Sequence, residues 1–255
     1  MCAQYVSFDD IPMWMQDNEF IETGYRKEMN TKDALLSIFK LHNETCNIWS
    51  HLIPLFVFIG MWIRDMSTNN NVVLSIFYFG AIMVFFASVS FHTFICHKWH
   101  IWMNKFDYLA IVIAFCCSTS AFCILYFCGN VRIIYLCVVV LLTLISGVFV
   151  TLDYFQHTKF RMWRAITFII LGTFNIIPFI HYSTYKYYSL VMQQLTAWAL
   201  SFTLGAIIYA CRIPERWSPS TFDIFLHSHQ LFHIFVVIGF VFQLLMVKTL
   251  SLNAF

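Results

Sequence analysis

Residues 225–248 read FLHSHQLFHIFVVIGFVFQLLMVK, and Lys248 is the single Lys, Arg, Asp or Glu among them. At ~1.5 Å of rise per residue, a helix of that length crosses the ~30 Å hydrocarbon core of a bilayer. The apolar residues do not alternate with polar ones as barrel strands would require. An open strand would leave its backbone unpaired in lipid, so a helix is expected. The start of the stretch is unusual: His229 and His233 are four residues apart and so share one helix face. Ionisable groups at membrane depth are costly and are kept where they have a partner or a task.

Six similar runs precede this one, at approximately 47–64, 72–96, 106–128, 131–152, 162–182 and 190–211. The composition agrees: 60% of the residues are hydrophobic and 11% charged, with mean hydropathy +0.72. Globular domains average about 25% charged residues. The expectation is an all-α membrane protein, a seven-transmembrane helix bundle over residues 47–248. A polar, aromatic-rich segment, 1–46, precedes the bundle, does not read as a cleavable signal peptide, and a short tail, 249–255, follows. Within the first segment, TKDALLSIFKLH (31–42) reads equally as a short helix lying along the membrane surface or as an extended linker. The chain has no nucleic-acid-binding patch, phosphate-cradling glycine loop or GxSxG turn, so nucleic acid is not expected as a partner.

Basic residues orient the bundle. Arg26, Lys27, Lys32, Lys40, Lys98, Lys105, Lys159, Arg161, Arg164, Arg212 and Arg216 fall on one side, eleven of the 15 Lys and Arg. The other side has Arg64, Arg132, Lys186 and Lys248. Cytoplasmic loops carry the excess, so the N-terminus is expected to be cytoplasmic and the C-terminus outside, the reverse of a G-protein-coupled receptor. The sequon Asn43-Glu44-Thr45 then lies in the cytosol and stays unglycosylated.

With this threading, polar residues of three spans meet at the inner end. His92 lies near the inner end of the second span, with Ser88 four residues before it on the same face, and Asp107 lies in the expected first turn of the third. His229 and His233 are expected one to two turns into the seventh, roughly 6–12 Å deep. A lone histidine pair at this spacing is ordinarily interhelical hydrogen bonding, and an aspartate at a helix start can simply be a cap. Their meeting at one depth favours a metal centre instead. Three imidazoles plus an open position is the catalytic arrangement of zinc, the default ion where no thiolate set or carboxylate cluster competes. His92, His229 and His233 are therefore the expected ligands of Zn²⁺. Asp107 and Ser88 are the expected catalytic groups, Asp107 as orienter or base for water and Ser88 as its hydrogen-bond partner. His51 reads as mainly structural, His97 and His100 are expected to face water, and Cys96 is the one thiol near the centre. The nine cysteines imply no disulfide framework.

The residues HNETCNIWSH (42–51) resemble the HNETxNxW(S/T)H motif of the progestin and adipoQ receptor family. Asp17-Asn18-Glu19-Phe20-Ile21 with Gly24-Tyr25-Arg26, Ser88 with His92 and His97, Phe106-Asp107-Tyr108, and Arg212 to Arg216 with His227 to His233 are similar to that family's other signatures. The likeness covers residues 9–245 and is nearest to the adiponectin-receptor branch and the plant and fungal heptahelical members. It implies seven helices, a cytoplasmic N-terminus and zinc on the three histidines already named. It further implies kinship with alkaline ceramidases, hence a ceramide-like lipid amide drawn from the membrane as substrate, and an extracellular protein or steroid as ligand. The expected function is a seven-helix receptor with zinc-dependent lipid amide (ceramidase-like) hydrolase activity. The alternative is a receptor or scaffold in which zinc is structural. Plasma membrane, Golgi and endoplasmic reticulum all fit the sequence. A transporter would need a polar path to both faces, which the spans do not supply.

Overall fold

The computed structural model describes residues 5–69, 72–156, 158–185 and 189–252. Lys186 and the last residues of the expected tail, 253–255, lie outside the described residues. Seven of the helices are long and apolar enough to cross a membrane. They are α2 (Thr45–Asn69), α3 (Val72–Phe94), α4 (His100–Tyr126), α5 (Gly129–Thr151), α6 (Arg161–Tyr185), α7 (Ser189–Cys211) and α8 (Ser228–Leu252). A shorter helix, α1 (Thr31–Ser37), precedes them, N-capped by the Asn30 side chain, which accepts from the Asp33 amide. Its Leu35 and Leu36, and Phe39 and Leu41 just after it, are exposed while Ala34 packs inward, so the helical reading of 31–42 holds over its first half.

The bundle is knit by α3 with α4, α7 with α8, and α2 with α3. Its core is aromatic: Phe58, Phe77 and Phe85 meet Phe240 edge-on at centroid distances of 6.5, 6.3 and 5.5 Å. Glycine lets α3 and α4 approach closely, because a Cβ on Gly80 would fall 3.0 Å from the Ala114 Cα. One end carries the N-terminal arm. At the far end, buried Asp65 of α2 takes Lys248 Nζ of α8 at 2.6 Å and the Tyr78 hydroxyl of α3 at 2.6 Å.

Two helix starts differ from expectation. α4 begins at His100, so Asp107 stands two turns inside the helix and is not its cap; Trp99 holds the cap position. The apolar pattern hid this because the intervening Trp102, Asn104 and Lys105 look like loop. α8 begins only at Ser228, which puts His229 in its first turn and His233 in its second. The preceding Leu226 has φ 65°, a left-handed conformation that breaks the helix there.

The arm is folded onto its end of the bundle. Strand β1 (Tyr5–Val6) pairs antiparallel with β2 (Tyr25–Arg26). Asp223 accepts from the Glu22 and Thr23 amides at 3.0 and 2.8 Å and from the Thr23 hydroxyl at 2.6 Å. Glu215 accepts from Asn18 at 3.0 Å and from the Ser228 amide at 2.7 Å, joining the arm to the start of α8. Arg26, one of the basic residues counted for orientation, is buried and donates to Ser37 Oγ at 2.7 Å and to the carbonyls of Thr93 and His92 at 3.2 and 2.5 Å. His97 and His100 do not simply face water: His97 is buried with Nε2 3.3 Å from the Thr31 hydroxyl, and His100 stacks on Trp14 at 3.8 Å.

His42 gives the arm a pH dependence. Its Nδ1 accepts from the Glu44 amide at 3.1 Å and its Nε2 meets the Ser37 carbonyl at 3.0 Å, a pattern only neutral imidazole satisfies. Burial, then the neighbouring Arg26 guanidinium, push its pKa down to about 4, with Glu44 acting in the opposite sense. An unfolded histidine titrates near ~6.5, so this contribution is complete above that pH and is lost as pH falls from there toward the folded value. At pH 5 the loss is roughly 2 kcal/mol. The melting temperature is expected to fall between pH 7.5 and 5.0, and to fall less in His42→Gln.

Candidate metal centre

His92 stands in the last turn of α3, and His229 and His233 stand in the first two turns of α8. The Nε2 atoms of His92 and His229 are 3.0 Å apart, and those of His229 and His233 are 3.2 Å apart. One nitrogen from each of the three rings lies within 4.8 Å of the others, and the set can hold a metal ion. His92 and His233 are each 2% exposed, so no solvent surrounds their rings.

The outward nitrogens decide what the inward ones can be. His92 Nδ1 lies 2.7 Å from the Glu44 carboxylate, and His233 Nδ1 lies 3.2 Å from the Asn47 carbonyl. Glu44 and the Asn47 carbonyl only accept, and the Ser50 hydroxyl beside His233 Nδ1 gives its own hydrogen to that carbonyl at 3.0 Å, so each Nδ1 carries the hydrogen and each Nε2 is left as a lone pair. Two lone pairs thus face the His229 Nε2 in a dry pocket, where one imidazole hydrogen cannot serve them both. A cation among the three satisfies all of them. Nitrogens on one tetrahedral zinc at ~2.0–2.1 Å would lie roughly 3.3 Å apart, close to the spacing seen. The donor set fits a metal.

The surroundings are those of a ligand-bearing centre. Glu44 also accepts from the Asn47 amide at 2.6 Å, and burial opposes its charge while His92, Asn47 and Arg26 together hold its carboxyl well below the usual range. Ser50 Oγ lies 2.9 Å from His233 Nδ1, and the His51 ring stacks on His233 at 3.8 Å and 6°. Such outer partners orient a ligating imidazole and raise its basicity. Glu44→Gln is expected to weaken metal binding about 10–100-fold without unfolding the bundle, measured by competition with a chromophoric chelator.

Ser88 and Asp107 come to the same place. Both are buried and line one cavity with His51, His229 and His233. The Ser88 hydroxyl and both His51 ring nitrogens have no hydrogen-bond partner among the described residues. From this polar end the cavity runs between α4, α6, α7 and α8 past Phe202, Val236 and Phe240, an apolar slot. Cys96 does not join: it packs with Ile11, Met15 and Tyr25 of the arm. Glu44, Asn47 and Ser50 were not foreseen as partners of the centre. Their three-residue spacing along the start of α2 was the available signal.

The fold and site define a class: a polytopic membrane protein with three histidines gathered at one end of seven helices. The family model described as "Haemolysin-III related" matches residues 39–244. An "Adiponectin receptor protein" of Drosophila melanogaster is 35% identical over 90% of the chain and 56% of its own length. An "ADIPOR-like receptor IZH2" of Saccharomyces cerevisiae is 36% identical over 91% of the chain and 80% of its own length. A "Heptahelical transmembrane protein 3" of Arabidopsis thaliana is 29% identical over 92% of the chain. The chain belongs to the haemolysin-III-related family of progestin and adipoQ receptors. It spans little more than half of the fly receptor and four fifths of the yeast one.

Proposed function

We propose that the protein is a seven-helix membrane receptor with its N-terminus in the cytoplasm and its C-terminus outside. In this reading His92, His229 and His233 hold a zinc ion just beneath the inner leaflet, and the centre hydrolyses a membrane lipid amide of the ceramide kind. The observation that carries it is the convergence of three Nε2 atoms, with the Nδ1 of His92 committed to Glu44 and that of His233 to Asn47. A zinc ion, when bound, supplies Lewis-acid polarisation and activation of water near neutral pH. Asp107 orients the attacking water and takes its proton. Ser88, buried with its hydroxyl unpartnered, donates a hydrogen bond to the substrate's polar head. The apolar slot beyond holds the acyl chain and keeps bulk water out.

The receptor half of the reading is supported by the relatives' names, and its ligand would be an extracellular protein or a steroid. Plasma membrane, Golgi and endoplasmic reticulum all suit such a protein. A second reading, zinc as a staple, is favoured by one observation: the three histidines tie α3 to α8, while Glu44, Asn47 and Ser50 tie the start of α2 to the same point. Purified protein in lipid nanodiscs, assayed for zinc and for release of fatty acid from a short-chain ceramide, tests the first reading. A zinc-loaded protein with no release above background would leave only the staple.

A further inference from the structure

The cavity is polar at both ends. Beyond the apolar slot its lining includes Gln243 of α8, Ser118 of α4 and Trp198 of α7, exposed by 2, 4 and 2% respectively. Gln243 donates to the Ser118 hydroxyl, and the Trp198 indole N–H has no partner among the described residues. Counted from the arm end of each helix, these residues sit 13 to 18 positions in, about 20–27 Å along the bundle. Three helices thus bring hydrogen-bonding groups to one level of the cavity.

A buried donor left unpaired is costly, so the Trp198 N–H, which faces the cavity beside the Gln243–Ser118 pair, wants an acceptor. The arrangement is too directional for an alkyl end, which gains nothing from an indole N–H or an amide. Between this cluster and the histidines the wall is Phe202, Val236 and Phe240, and from His233 to Gln243 the helix rises about 15 Å. That is an apolar gap for an extended acyl chain.

We propose that Trp198, Gln243 and Ser118 form a second polar subsite for an oxygen far along the ligand's chain, so that the cavity prefers lipids polar at both ends. Hydroxylated acyl chains are the chemical class. This rests on the lipid-binding reading above. The alternative occupant of the far end is ordered water, which needs only two to four such partners.

The test compares tetradecanoic acid with 14-hydroxytetradecanoic acid on the purified, zinc-loaded full chain in nanodiscs. The hydroxy acid is expected to bind roughly fivefold tighter, the effect of about one neutral hydrogen bond. Gln243→Leu, Ser118→Ala and Trp198→Phe are each expected to shrink that ratio toward one while leaving tetradecanoic acid binding and zinc content unchanged. Equal binding of the two acids by wild-type protein overturns the proposal and assigns the far cluster to water, whether or not any variant folds. Failure of the lipid-binding reading looks different, because then neither acid binds. Failure of the zinc reading shows separately, as a purified chain without metal.

Discussion

His229→Ala is expected to take the purified protein from about one bound zinc per chain to almost none, with affinity down more than a hundredfold. The residue is the middle of the cluster, 3.0 Å from His92 Nε2 and 3.2 Å from His233 Nε2, so its removal leaves two ligands on different helices with a gap between them. The melting temperature should fall as well, because the ion joins α3 to α8 and binds only the folded chain. His97→Ala is the control: that imidazole is also buried, but its partner is Thr31 in the arm, and zinc should stay. Zinc retained at wild-type stoichiometry in His229→Ala would end the metal assignment altogether.

The second large effect concerns Asp107. Its carboxylate lines the cavity beside His229, His233 and Ser88, two turns into α4. Asp107→Asn keeps the shape and removes the base, so lipid amide turnover is expected to drop about 10²–10⁴-fold while zinc content and melting temperature stay near wild type. The staple reading expects the opposite pattern, in which Asp107→Asn is mild and only the histidine variants lose signalling. Turnover that survives both Asp107→Asn and His229→Ala would show that the hydrolysis comes from elsewhere.

The seven spans and the meeting of three histidines were legible in the chain because both follow from one-dimensional rules. Apolar length fixes the crossings, and odd and even crossings fix which side chains share an end. The start of α4 was not legible, since Trp102, Asn104 and Lys105 look like loop, yet they lie inside a helix that begins at His100. The outer partners of the centre were missed for a different reason. Glu44 and Asn47 sit at the start of α2, and only the tertiary approach of α3 and α8 turns them toward His92 and His233. Arg26 is a similar case: as a charge it reads as an orientation signal, yet in the fold it is a buried donor to the carbonyl of His92 itself. The far polar cluster could not be read at all, because single Gln, Ser and Trp residues in apolar helices are unremarkable one at a time.

The ion pair of Asp65 with Lys248, capped by Tyr78, fastens α2, α3 and α8 at the end opposite the histidines. Those three helices are therefore pinned top and bottom, while the rest of the cavity wall is α4, α6 and α7. A guest reaching the cavity would slip in sideways from the bilayer rather than down from water. Occupancy would then follow the mole fraction of that lipid in the surrounding leaflet, so that changing membrane composition alone would titrate the protein.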